Sequence, residues 1–230
     1  MNKTVVALYD DISSAQQALD KLVASGFARD QISLMANDVS KRYGKYVTTS
    51  GRVVPSDDAV TAGDGAGFGA TIGALTGIVA GLAAFVIPGV GPVIGAGPLL
   101  AGIGGLTGGV IGGVVGSATG GLVAGLVKTG ITPEDASYYA EGIRRGGTLV
   151  VVQTDEINVQ RARDILNHYV PVDIEERGAA WHAGGWRGYD ANAEPYSPEQ
   201  VAKFRTTKYE RKNADYRRQV YDVPEEVPHR

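Results

Sequence analysis

From Gly65 to Val127 the chain carries no Asp, Glu, Lys, Arg or His. Nearly all of the stretch is Gly, Ala, Val, Ile and Leu. A soluble monomer cannot easily hide so long an apolar run, so packing against lipid or against copies of the chain is expected. The run is interrupted at Ile87-Pro88-Gly89-Val90-Gly91-Pro92, with Pro98 close behind. Residues of this kind end one helix and start another. The reading is a helical hairpin over residues 65–127, with its turn at Pro88, Gly89, Gly91 and Pro92. Its first arm runs from about Gly65 to Val86 and its second from about Leu99 to Val127. The first arm would reach ~33 Å at 1.5 Å per residue, enough to cross a bilayer.

Glycine spacing sharpens this expectation. Gly65, Gly69, Gly73, Gly77 and Gly81 recur every four residues, as do Gly104, Gly108, Gly112, Gly116 and Gly120. A parallel row runs Gly105, Gly109, Gly113, Ser117, Gly121 and Gly125. Residues four apart share a helix face, so each row would be a groove into which a second backbone can press. A glycine costs about 1 kcal/mol against alanine inside a helix in water, so such helices need a partner or lipid around them. A flexible linker would be polar and serine-rich instead.

Around this segment the chain reads as α+β. Thr4 to Tyr9 is a β-branched apolar run, followed by Asp10 and Asp11 as capping candidates. Ala15, Ala18, Leu19, Leu22 and Val23 recur at helical spacing, and Gly26 ends that helix. Ile32 to Ala36 closes a first β-α-β half. Leu149 to Val152, then the helical pattern Val159, Ala162, Ile165 and Leu166, then Val172 to Ile174, form a second. The halves align without gaps: Asp11 on Asp155, Gln16 on Gln160, Ala18 on Ala162, Asp20 on Asp164, Leu22 on Leu166. An internal repeat follows. Before the second half, Thr132 caps a helix, Pro133 takes its first turn, and Gly146-Gly147 ends it.

The expected fold is therefore a ferredoxin-like, four-stranded sheet from two β-α-β halves with helices on one face, split by the inserted hairpin. The divisions are residues 1–36, a polar linker 37–64, the hairpin 65–127, the second half 128–178, and an aromatic, basic tail 179–230. In the tail, Trp181, His182, Trp186, Tyr189 and Tyr196 suit docking onto a neighbour or a membrane interface. Ser197-Pro198-Glu199-Gln200 starts a helix carrying Lys203, Arg205, Lys208, Arg211 and Lys212, a candidate contact for anionic lipid or an acidic partner.

Ile87-Pro88-Gly89-Val90-Gly91-Pro92, Ala96-Gly97-Pro98-Leu99 and Tyr139-Ala140-Glu141-Gly142-Ile143-Arg144-Arg145-Gly146-Gly147 together resemble the bacterial general stress protein family (YflT-like, heat-induced stress proteins). Val172-Asp173-Ile174-Glu175-Glu176-Arg177 is similar too, and the resemblance covers about residues 3–178. It implies a stress-induced, non-enzymatic bacterial protein and supplies no catalytic residues.

Chemistry-bearing motifs are not apparent. His168, His182 and His229 have no metal-ligand spacing, and the 230 residues include no cysteine. No nucleophile elbow or Walker loop is present, and the GxGxxG matches fall in the apolar run without a strand before them. Arg144-Arg145-Gly146-Gly147 has the makings of an anion site but reads better as a helix C-terminus. A net charge of -3 argues against nucleic acid as a general partner. The first apolar run stops at Asp10, too early for a secretion signal.

The expectation is a non-enzymatic structural protein, without cofactor or metal, that associates with the membrane and with itself through the glycine rows. Basic residues on both flanks, Lys45 and Arg52 before and Lys128, Arg144 and Arg145 after, would keep both ends on the cytoplasmic side of the inner membrane. Two alternatives stand beside it: a cytoplasmic, soluble homo-oligomeric ring or shell with the hairpins as a hidden core, and a small-ligand-binding module of ferredoxin-like type.

Overall fold

A computed structural model describes residues 2–41, 83–103, 121–206 and 219–224. The strands are β1 (Asn2–Tyr9), β2 (Ile32–Asn37), β3 (Ala83–Ile87), β4 (Gly91–Ala96), β5 (Thr148–Asp155) and β6 (Val220–Asp222). They form one antiparallel sheet in the order β3-β4-β2-β5-β1-β6. The helices are α1 (Ile12–Ala24), α2 (Leu99–Gly102), α3 (Leu122–Lys128), α4 (Pro133–Arg144), α5 (Glu156–His168), α6 (Ile174–Ala183) and α7 (Pro198–Thr206).

Strand alternation sorts the core into two layers. Val5, Ala7, Tyr9, Val150 and Val152 face α1 and α5, meeting Ala18, Leu22, Ala162 and Leu166. Val6, Leu8, Met35, Leu149 and Val151 face the other way, onto Leu122, Leu126, Tyr139, Ala140 and Ile143. Central strands buried on both faces read as near-continuous apolar runs. Helices therefore cover both sides of the sheet, not the one side expected. Local signals worked where they were local. Asp11 caps α1 by accepting from the Ser14 amide at 2.9 Å. Thr132 caps α4 with Pro133 in its first turn, and Gly146 follows its end at φ +103°.

Three expectations are corrected. Residues 83–96 are not the bend of a helical hairpin but a β-hairpin inside the sheet, with Ile87 paired to Gly91 and Val86 to Pro92. Pro88, Gly89, Gly91 and Pro92 do make a turn, yet between strands; Val90 donates back to the Ile87 carbonyl at 3.1 Å. The reason is tertiary: Leu34–Asn37 of β2 needs partners for its backbone groups, and β4 supplies them. The first arm thus ends in β3, and residues 65–82 lie outside the described residues.

The second arm is not one helix from Leu99 to Val127. A continuous helix would hold residues 103 and 125 about 33 Å apart. Instead a side chain added at Gly125 would sit 3.1 Å from the Ile103 Cα, so the end of α2 lies directly on α3. Gly125, last of the parallel row that starts at Gly105, does serve a close approach, but within the chain.

Third, Val172 to Ile174 is not a strand. Asp173 caps α6, accepting from Glu175 at 3.0 Å and Glu176 at 3.1 Å. Val172 gives the sheet one bond, to the Leu8 carbonyl at 2.7 Å. The place beside β1 goes to β6, far along the tail.

Candidate functional site

The tail folds back on the α/β unit around one buried carboxylate. Glu141, on α4, is fully buried. It accepts from Arg145 Nε at 2.6 Å, from the Tyr196 hydroxyl at 3.3 Å, and from Arg144 at 3.4 Å. The spacing is the helical i,i+3 and i,i+4 arrangement that lets one side chain serve both arginines. Arg144 also donates to the Glu194 carbonyl at 2.7 Å and stacks 4.1 Å from the Tyr196 ring centroid. Arg145 lies among Trp181, Phe204 and Tyr196, at 4.9, 4.7 and 5.7 Å. A guanidinium over aromatic faces gains cation–π attraction, more so when water is excluded. Arg144 Nε and Trp181 Nε1 are buried without a hydrogen-bond partner.

The same segment clasps the β3–β4 turn. Tyr189 donates to the Pro88 carbonyl at 2.8 Å. A side chain at Gly89, which also holds φ +76°, would meet Ala191 Cα at 2.9 Å. Burial pushes the Tyr189 hydroxyl up to about 12. Burial, then the nearby Glu141 carboxylate, raises Tyr196 as well. Further along, Tyr138 shares a hydrogen bond with His182 at 3.2 Å, and Trp181 and Trp186 meet edge to face at 5.7 Å. The tail aromatics thus turn inward onto their own chain.

Of the residues singled out from sequence, the turn group is brought together with the tail, and of the glycine rows only Gly121 and Gly125 are among the described residues. Gly65, Gly69, Gly73, Gly77, Gly81, Gly104, Gly108, Gly112, Gly116 and Gly120 all lie outside the described residues, as do Lys208, Arg211 and Lys212. Lys203 is exposed on α7. Arg205 is turned to the fold, donating to the Gly146 carbonyl from Nε at 3.1 Å and from Nη2 at 2.9 Å. It closes the loop after α4. Ser197 and Gln200 exchange bonds across the start of α7, at 2.8 and 3.3 Å, as the sequence predicted. Tyr196, expected to dock onto a neighbour or a membrane, packs on its own chain, and Glu141 was missed; the Glu141–Arg144–Arg145 helical spacing was the available signal.

What remains legible of the glycine-rich segments is where they join. Residue 83 pairs with Gly95, and a side chain at Gly95 would sit 3.0 Å from Leu100 Cδ2. Ile103, one turn on, rests against Gly125, whose amide bonds to the Gly121 carbonyl at 2.9 Å. Residue 103 thus lies beside the start of α3, and residue 83 connects to α2 through Gly95. Among the described residues no helix is long and apolar enough to cross a membrane, and no three His, Asp or Glu side chains converge on a metal position. Comparison with protein-family models, with curated proteins and with solved structures gives no match.

Proposed function

We propose that this is a stress-related structural protein, not an enzyme, that self-associates through the charge-free residues 65–82 and 104–120. The observation that carries the reading is the contact of Ile103 with Gly125, which brings the two ends of residues 104–120 to one place. Sequences this long without charge, rich in glycine and apolar residues, call for a partner. The buried charges are engaged elsewhere: Glu141, Arg144 and Arg145 hold the tail. The stress-related part of the reading rests on the resemblance quoted above.

The fold reading that accompanies it is a ferredoxin-like split. The order β2-β5-β1-β6, with α1 after β1 and α5 after β5 on one face, supports it. On this reading β3, β4, α2 and α3 belong to the insertion, which extends the sheet and covers its second face.

The partner surface is the cytoplasmic face of the inner membrane, with Lys203, Lys208, Arg211 and Lys212 as the candidate contacts for anionic head groups. One observation favours a second reading, an assembly in solution with the segments as its hidden core. The contact between Ile103 and Gly125 leaves residues 104–120 to leave and return to one place, too few for a spanning pair of helices. Carbonate and detergent extraction of the untagged protein, then sizing, separates them. Release by detergent alone supports the membrane reading. A large particle without detergent supports the second. A monomer in carbonate sinks both.

A further inference from the structure

Two polar clusters are buried against α4, and only one is closed on itself. Near the start of the helix, Tyr221 is buried and donates to Asp135 Oδ2 at 3.1 Å, an oxygen that also accepts from Thr132 at 2.9 Å. At the end of the helix, donors outnumber acceptors. Arg145 gives Nε to the buried Glu141 carboxylate at 2.6 Å, and its Cζ lies over the Trp181, Phe204 and Tyr196 rings. Ring faces stabilise the cation but leave its in-plane N–H groups without a good acceptor. The two terminal nitrogens of Arg145 make no hydrogen bond among the described residues and are not shut off from solvent, although its side chain is only 16% exposed. The result is a guanidinium fork fixed at its base and open at its tip. Arg144 Nε and Trp181 Nε1, in the same cluster, are buried donors without a partner.

Arg205 adds a third guanidinium. It holds the Gly146 carbonyl through Nε and Nη2, directly after Arg145 in the chain, and its Nη1 makes no hydrogen bond among the described residues. Charge decides what such a place would hold. Three arginines meet one carboxylate, Glu141, so two positive charges are left over. The C-terminal end of α4 offsets about half a charge, which leaves roughly +1.5. A phosphate group carries about −1.5 to −2 at pH 7, whereas a carboxylate would balance only part of the excess. Guanidinium forks also match phosphate oxygens in pairs.

We infer that the end of α4 is a binding site for a phosphate-type oxyanion. The open fork of Arg145 is its main contact, Arg205 is the flanking charge, and the bond to Glu141 keeps the fork in place. The Arg144-Arg145-Gly146-Gly147 run thus ends a helix and presents an anion site at once. Tyr196 and Phe204 belong to the tail, so the site is complete only with the tail docked. The inference does not rest on self-association. The phosphate is carried either by a small soluble molecule or by an anionic lipid head group, and the recognising chemistry is the same.

Phenylglyoxal, which modifies guanidinium groups with free nitrogens, tests this on the full wild-type chain, with labelling read at each arginine by mass spectrometry. Arg145 should label in chloride. Inorganic phosphate at equal ionic strength should slow that labelling in a saturable way, about tenfold once phosphate is about ten times its half-effect concentration. The control is exposed Arg29, at the opposite end of β2 from Asn37, whose side chain meets the Arg144 carbonyl. Its labelling should not change. A second arm replaces phosphate by phosphatidylglycerol vesicles, with phosphatidylcholine vesicles as the blank. Protection by inorganic phosphate supports the site with a soluble ligand, and protection by phosphatidylglycerol vesicles alone supports it with a lipid head group. The site is overturned if Arg145 does not label in chloride, if neither arm protects it, or if Arg29 slows equally. Arg205→Gln leaves the Arg145 fork standing and should raise the half-effect concentration several-fold; an unchanged value overturns the charge argument on which the ligand class rests.

Discussion

The two β-α units of this chain, β1–α1 and β5–α5, begin alike and close differently. Ala18 and Ala162 are fully buried at matching positions, and so are Leu22 and Leu166. The first unit then returns to the sheet after a short turn, Arg29–Gln31, and supplies β2. The second returns only after α6, the aromatic segment and α7, through β6. One unit closes through local chain connection, which is entropically cheap. The other depends on contacts made by a distant segment, whose ordering has to be offset by the Glu141 network and the Tyr221 pocket.

The sharpest way to break the comparison is to remove what holds the long return. Glu141→Ala leaves two largely buried arginines without their carboxylate and should cost about 3–5 kcal/mol. Denaturant unfolding measures it. Protease sensitivity should appear first between residues 184 and 206, while α1 stays protected. Next, Leu22→Ala and Leu166→Ala test whether the repeated positions are equivalent. Both side chains are fully buried, and each change should cost ~2–5 kcal/mol. A large gap between the two would mean that the units share a pattern but not a role.

Gly130→Ala addresses the closing strand alone. The positive φ disfavours a side chain, and Asp222 blocks its place, so a loss of about 1–3 kcal/mol is expected. Hydrogen exchange should then speed up at Val6 and Val223, whose amides bond across this edge, and leave β2–β5 amides unchanged.

The smallest effect separates the two helix starts. Asp11 accepts bonds at the head of α1, whereas Asp155 makes no side-chain cap bond at α5. Asp11→Ala should cost about 1 kcal/mol and Asp155→Ala within about 0.5 kcal/mol. Burial alone would raise the Asp11 carboxyl, but bonds from Ser13 and Ser14 outweigh it and hold it below its usual value of 3.8. A lowered folded pKa means that the cap stabilises above that pH and is lost as pH falls through the folded value. The wild-type advantage over Asp11→Ala should therefore shrink in an acid titration below pH 3.8.

What was legible in the sequence follows from the range of each interaction. Asp11, Thr132, Pro133 and Gly146 act within a helical turn, so their roles were readable. Ala18, Leu22, Ala162 and Leu166 were readable because helical spacing is itself the signal. The β3–β4 hairpin was not, since Val86 and Ile87 continue an apolar run and Pro88 to Pro92 suit a turn between helices as well as one between strands. Pairing with β2 decided it. The β6 strand was invisible because three residues carry no periodicity and their partner stands over 200 residues earlier. Val172 to Ile174 looked like a strand from β-branching, but Asp173 between them is a helix cap. In the candidate site, the turn residues were found from composition; Glu141 was hidden in a helix whose charges looked like surface.

The most direct test of the central claim is the native mass of the purified full chain beside its Gly112→Leu variant, both without and with mild detergent. Self-association through the charge-free segments predicts a wild-type particle at a multiple of 24.0 kDa and a variant shifted toward the single chain. Equal masses for the two, whether both assembled or both monomeric, would contradict it.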